Sequence, residues 1–243
     1  MDSTLTRSAV RDGLGVGFAV GLSGVAFGAA AVAAGLGVPQ ACALSLLAFS
    51  GASQFALIGV VAGGGDLIAG AVGAVLLGGR NGLYGLRLAE TLRVRGLRRL
   101  LTAHLVIDET TAVATAQPGP PQARAGFWAT AISLFTVWNL STLGGAIGAS
   151  RLGDPRTYGL DVVGPAAFLG LLWPRLAGAA ERRVAVLAAV VAIATTPLLP
   201  PGLPVMLTAL AALAGLIRRP ADTPQDPGEP APEPALTAPE NRS

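Results

Sequence analysis

The sequence predicts an all-α, polytopic membrane helix bundle of about seven to eight hydrophobic segments, one or two of them broken or re-entrant. Three observations carry this. Hydrophobic residues make up 52% of the 243 and charged residues only 13%, with a mean hydropathy of +0.60, which leaves too little polar surface to clothe a soluble domain. Several apolar runs reach the ~20 residues with which a helix crosses a hydrocarbon core about 30 Å thick. The 17 basic residues, all Arg, cluster between those runs, where they act as topology signals. A pI near 10 in a soluble chain would point to nucleic acid; here no nucleic-acid partner is expected, and the lipid bilayer is the partner.

In chain order, residues 1–13, with Asp2, Arg7, Arg11 and Asp12, read as a short cytoplasmic N-terminus. Leu14 to Val38 is the first span, ended by Pro39 and lacking a convincing cleavage site, so it is read as retained. Ala41 to Ala62 is the second, ended by the turn Gly63, Gly64, Gly65, Asp66. A third run starts at Leu67, but Gly78 and Gly79 lead directly into Arg80, Asn81 and Gly82, then Tyr84, Gly85 and Arg87. Clustered Gly beside an ionised residue at membrane depth reads as a broken helix whose backbone faces a cavity. The basic loop Arg93, Arg95, Arg98, Arg99 follows, then a weaker run from Leu101 to Gln117 that holds His104, Asp108 and Glu109, ended by Pro118 to Pro121.

The second half offers Ala125 to Ala149, Tyr158 to Leu172 with Pro165 inside it, Arg183 to Leu199, and Leu203 to Ile217, so that residues 14–217 form the transporter domain. Residues 218–243 carry seven prolines between Pro220 and Pro239, cannot bury a core, and are expected to be a disordered cytoplasmic tail. The Arg-for-Lys usage with abundant Ala, Gly and Pro is the composition of a GC-rich bacterial genome, and the expected location is the bacterial cell (inner) membrane.

Arginine placement tests the topology. If Arg7 and Arg11 are inside and the first three runs all cross, the Arg93 to Arg99 loop falls outside, against the excess of basic residues on cytoplasmic loops. The conflict disappears if one of these runs turns back, the third being the best candidate, and if the His104 segment also dips and returns. Arg124, the Arg175, Arg182, Arg183 cluster and the Arg218, Arg219 pair then lie inside, and irregular segments line a central cavity, where secondary transporters bind substrate.

Several residues could carry chemistry there. Ser50 and Gln54 are four apart, with Ser53 between them and Gly51 beside them, so on a helix they share a polar face. That face could hold an ammonium or carboxylate, or it could simply hold helices together. His104 and Asp108 are at helical spacing, with Thr111 and Thr115 continuing the stripe and Glu109 turned away. A His and a carboxylate are the usual parts of a proton relay, while the alternative puts this segment in the headgroup interface. Arg80 is a fork-shaped carboxylate binder or a snorkelling edge residue. Asp161, three residues after Tyr158, reads as an interfacial anchor, and Trp128 and Trp138 as ordinary membrane aromatics. An intramembrane serine protease using Ser50 or Ser53 with His104 is an alternative that nothing in the spacing demands. No cofactor or metal is expected: Gly63 to Gly65 lacks the lysine and hydroxyl of a phosphate loop, and one His with the single Cys42 cannot build a metal centre.

The chain resembles the AzlC family of branched-chain amino-acid exporters, the large subunits of two-component permeases, from about Gly13 to Ile217. Phe49, Ser50, Gly51, Ala52, Ser53, Gln54, Phe55 is similar to the family's Phe-x-Gly-Ala-x-Gln-Phe signature, and His104 to Glu109 to its His-leading Asp-Glu element. Arg80 through Tyr84 and Gly85, and Gly159 to Asp161 followed by Pro165, are also similar. This chain has Gly78 where the family has Asn and Asn81 where it has His. The resemblance implies export of leucine, isoleucine, valine or similar amino acids, driven by the proton gradient or membrane potential, with a small AzlD-type membrane subunit as partner and no enzymatic activity. Ser50, Gly51, Ser53, Gln54, Arg80 and Tyr84 are then the expected substrate ligands, and His104, Asp108 and Glu109 the expected proton-coupling groups. The alternative is a non-transporting membrane scaffold subunit.

Overall fold

A computed structural model describes residues 3–152 and 172–199 and the single positions 166, 169, 170, 204, 207 and 208. The expected spans from Tyr158 to Leu172 and Leu203 to Ile217, Asp161, and the tail 218–243 lie wholly or largely outside the described residues. Among those residues every regular element is helical.

The spine of the molecule is a helix that packs through missing side chains. In α1 (Ser3–Gly21) and α2 (Gly24–Ala33) the buried positions include Gly13, Gly17, Gly21, Gly24 and Gly28, three or four residues apart. They face α9 (Pro120–Arg151), whose 32 residues extend about 48 Å at 1.5 Å per residue. A Cβ at Gly13 would lie 2.8 Å from Gly126 O, and one at Gly21 2.7 Å from Val137 Cβ; at Gly17, Gly24 and Gly28 it would meet Ser133 Oγ, Trp138 O and Thr142 O. Small residues at such a seam let backbones close to van der Waals contact, which substitutes for the hydrophobic drive that lipid cannot supply. The paired positions rise together along both helices, so α1 and α2 run parallel to α9. Their N-terminal ends, with Arg7, Arg11 and Arg124, therefore share one side, called the near side below.

The first span begins well before Leu14 and ends before Pro39, which instead sits in the first turn of α3 (Val38–Leu47). Gly35, at φ +96°, closes α2 with bonds from its own N–H to Val32 O and from Leu36 N to Ala31 O. Gly64, at φ +72°, does the same for α4 (Gly51–Ala62), since only Gly adopts this left-handed C-terminal motif at little cost. Asp66 then caps α5 (Leu67–Gly78), accepting from Ile68 N at 2.9 Å and Ala69 N at 3.0 Å.

The expected break at Gly78 and Gly79 needs correction. Gly79 keeps helical dihedrals (φ −55°, ψ −29°), and α5 joins α6 (Arg80–Leu92) in one apolar helix of 26 residues. Gly78 serves packing, since a Cβ there would lie 3.1 Å from Ser53 Oγ. Arg124 Nε donates to Thr91 O at 2.6 Å, which puts the end of α6 on the near side; this helix, about 39 Å long, therefore starts on the far side.

The second run is the one that turns back. It breaks into α3 and α4 at Ala48 to Ser50, where Ser50 is extended (φ −160°, ψ 100°). Ser45 on α3 meets Asn139 and Thr142 of α9, and α4 runs antiparallel to α5, with Val60 beside Gly70 and Ser53 beside Gly78. Each helix is thus a half-crossing: α3 descends from the far side to mid-depth and α4 returns. The His104 run makes the mirror-image move from the near side. It breaks into α7 (Leu97–His104) and α8 (Asp108–Thr115), so His104 and Asp108 do not share the helical stripe that their spacing predicts. Beyond residue 171, α10 (Ala179–Thr195) carries no buried residue.

Candidate functional site

The tips of the two half-crossing pairs meet at the centre. His104 Nε2 lies 2.9 Å from Leu46 O, joining the last turn of α7 to the last turn of α3. Gln54, 1% exposed, turns its Nε2 onto the same carbonyl end, 3.0 Å from Ala48 O and 3.3 Å from Leu44 O. The last carbonyls of a helix have no intrahelical partner, so in this structure both side chains satisfy the open end of α3. The break between α7 and α8 is closed differently: Thr110 Oγ1 accepts from Ile107 N and donates to Leu105 O.

Once the chain has turned, α4 and α8 each begin at mid-depth and direct their N-terminal ends toward a shared cavity of about 220 Å³. Ser50, Gly51, Ala52, Arg80, Asn81, Asp108 and Glu109 form its polar part, and Val20, Phe49, Leu77, Ile107, Leu134 and Trp138 its apolar walls. Ser50 does not cap α4; its hydroxyl lies 3.1 Å from Ser53 Oγ instead. The first-turn amides of α4 thus keep the partial positive charge that makes a helix N-terminus attractive to anions. At the start of α8 the carboxylates of Asp108 and Glu109 occupy the corresponding first turn.

Arg80, midway along the α5–α6 helix, binds Asp108 through Nη2 and Oδ2 at 2.7 Å, the two side chains being 32% and 13% exposed. Its mid-span position argues against snorkelling, and the depth of Asp108 against an interfacial His104 segment. Arg80 Nε is buried without a hydrogen-bond partner among the described residues, and so is the Trp138 indole N–H. A buried polar group left unpaired costs roughly 1–3 kcal/mol, so these groups point to a polar occupant of the site. Behind Trp138, Phe27 stacks at 6.1 Å and meets Phe55 edge-on at 5.6 Å, which fixes the indole as a rigid wall.

Of the expected ligands, Ser50, Gly51, Arg80, Asp108 and Glu109 line the cavity. Ser53 and Gln54 are buried beside it, Tyr84 packs one turn along α6 against the Leu88 and Phe127 cluster, and Asp161 is outside the described residues. His104 bonds Leu46 O, and Ser50 bonds Ser53, so no Ser–His hydrogen bond forms among the described residues. Trp138, read from the sequence as an ordinary membrane aromatic, and Asn81, read only as part of a break, also line the cavity. A Trp on a buried helix face needs a partner for its N–H, which is the signal that could have flagged it.

Half-crossing helices with opposed entry, converging on a polar cavity at mid-depth, define a helical membrane protein with a polar centre. Residues 15–152, more than half of the chain, match the AzlC family (AzlC protein), and the chain belongs to that family, whose membrane proteins are associated with transport. The match ends at residue 152, short of the expected limit at Ile217. No curated protein and no solved structure matches the chain.

Proposed function

We propose that this chain exports branched-chain or similar small amino acids across the bacterial inner membrane, coupled to the proton gradient or the membrane potential and together with a small AzlD-type membrane subunit. The carrying observation is the division of one small cavity into two ends of opposite character. The amide end of α4 at Gly51 and Ala52 suits a carboxylate, the acidic start of α8 at Asp108 and Glu109 suits an ammonium, and Trp138, Leu134 and Val20 receive an aliphatic side chain. Drug-sized ligands occupy clefts of roughly 300–1,000 Å³, so a cavity of about 220 Å³ favours a solute of amino-acid size.

Arg80 pairs with Asp108 across the cavity. An ammonium at Asp108 competes with the guanidinium, which frees Arg80 to meet the substrate carboxylate, and a proton on Asp108 or Glu109 releases the ammonium again. In this reading His104 and Gln54 hold the tips of the half-crossing pairs in register. With the near side cytoplasmic, Arg7, Arg11, the Arg93 to Arg99 loop and Arg124 all obey the positive-inside rule.

The test is efflux of preloaded labelled amino acids from cells producing the chain with and without the small subunit. Leucine, isoleucine and valine should leave faster than from empty-vector cells, and Asp108→Asn at normal abundance should abolish the difference. No efflux of any amino acid from a verified complex would refute the exporter reading in favour of a scaffold.

A further inference from the structure

A second groove, about 970 Å³, opens on the near side between α6 and α7. Its rim is Arg93, Arg95 and Arg99, and its floor descends along Gly82 and Gly85 on one wall and Thr102, Ala103 and Val106 on the other. At the bottom stands Asn81, which also lines the central cavity, and Val106 adjoins Ile107 of that same cavity. We propose that this groove is a water-filled vestibule through which solutes bearing a carboxylate reach the central site from the near side. The proposal rests on the reading of the central cavity as a substrate site.

Four observations converge on it. The two cavities adjoin at Asn81, which lines both. The groove takes Asn81, Gly82, Gly85 and Ala89 of α6, with Leu86 beside them, while Leu83, 68% exposed, lies outside it on the same helix. The non-helical backbone at Leu105 to Ile107 lies at membrane depth, where irregular chain is tolerated only inside protein or against water. Finally, the rim arginines have no carboxylate within ion-pair distance among the described residues.

Arg93 strengthens the last point. It ends α6 in the left-handed region (φ 50°, ψ 34°), where Gly is the usual choice. The chain thus keeps a cation at a position whose backbone favours glycine. Cations around a low-dielectric cleft concentrate anions and raise their encounter rate, an effect that weakens with salt.

The test uses the full-length chain in its membrane with Cys42, the single cysteine, replaced by Ser. Gly85→Cys, Asn81→Cys, Leu83→Cys and Arg95→Cys proteins are treated with a membrane-impermeant thiol reagent, in inside-out vesicles and in intact cells. Gly85→Cys should label at least tenfold faster than Leu83→Cys in inside-out vesicles and stay unlabelled in intact cells, and leucine should protect Asn81→Cys. If Gly85→Cys is as refractory as Leu83→Cys while Arg95→Cys reacts, lipid fills the groove and the vestibule is refuted; equal labelling from both sides refutes its one-sidedness. Labelled Gly85→Cys with no protection of Asn81→Cys by any amino acid would uphold the vestibule and count against the amino-acid reading alone.

Discussion

The two half-crossing pairs are built to one plan and finished with opposite chemistry. In α3 and α4 the open carbonyl end is satisfied by side chains from elsewhere, Gln54 and His104, and the amide end begins with Ser50, Gly51 and Ala52, which carry no charge. In α7 and α8 the break is closed locally by Thr110, and the amide end begins with Asp108 and Glu109. In the proposed reading, the difference teaches how a chain so poor in ionised groups recognises a zwitterion at mid-depth. One end offers backbone dipoles, which bring no ionised side chain to mid-depth, and the other offers the carboxylates of Asp108 and Glu109, the first of them paired with Arg80.

The frame that holds both pairs is the most sensitive element. Gly17→Leu places a side chain against Ser133 Oγ and, at 2.8 Å, against Leu134 N. Backbone lies in the way, so the cost exceeds the ~1–3 kcal/mol usual for overpacking; folded protein should vanish from the membrane, as read by immunoblot and size-exclusion profile. Next in size, Asp108→Asn should cut leucine efflux at least tenfold, equivalent to about 1.4 kcal/mol, at near-normal abundance. Ser50→Ala should change efflux less than about twofold, because a neutral amide end does the work there. Equal losses from both substitutions would break the comparison.

Gly51→Ala sharpens it further. The added Cβ would lie 3.1 Å from Trp138 Cη2, narrowing the cavity where the aliphatic part of the solute sits. Preference should shift from leucine toward smaller amino acids by about tenfold, in the range that one methylene commands in an apolar pocket, measured as a ratio of efflux rates. A change in stability with little change in flux is expected from Gln54→Leu, which strips the cap from the α3 carbonyl end and should lower thermal stability by an amount equivalent to ~1–3 kcal/mol. Transport per folded molecule should stay within about twofold; a selective loss of flux would return Gln54 to the list of direct ligands.

The membrane class, the turn at Gly63 to Asp66 and the cavity residues Ser50, Gly51, Arg80, Asp108 and Glu109 were legible in the sequence, because hydropathy, turn chemistry and charge at depth are local signals. The location of the broken helices was less so. Gly78 and Gly79 looked like a break and proved to be a packing seam, since glycine in membrane helices serves close approach as often as irregularity. The true breaks carried helix-end signals of their own: Ser50 followed by Gly51, and His104 in a last turn before Asp108 and Glu109 in a first turn. Such signals outweigh spacing, and reading Ser50 to Gln54 or His104 to Asp108 as stripes on continuous helices ignored them. The place of Trp138 in the cavity was harder to read, because its partners Gly51 and Phe27 come from distant segments.

The central claim is that both ends of a zwitterion are read at one mid-membrane cavity. The most direct measurement is displacement of radiolabelled leucine from the purified complex by two analogues of the same aliphatic shape, one lacking the carboxylate (3-methylbutylamine) and one lacking the ammonium (4-methylpentanoate). Neither should displace leucine at a hundredfold excess, while isoleucine and valine should. Displacement by either analogue as effectively as by unlabelled leucine would contradict the two-ended site.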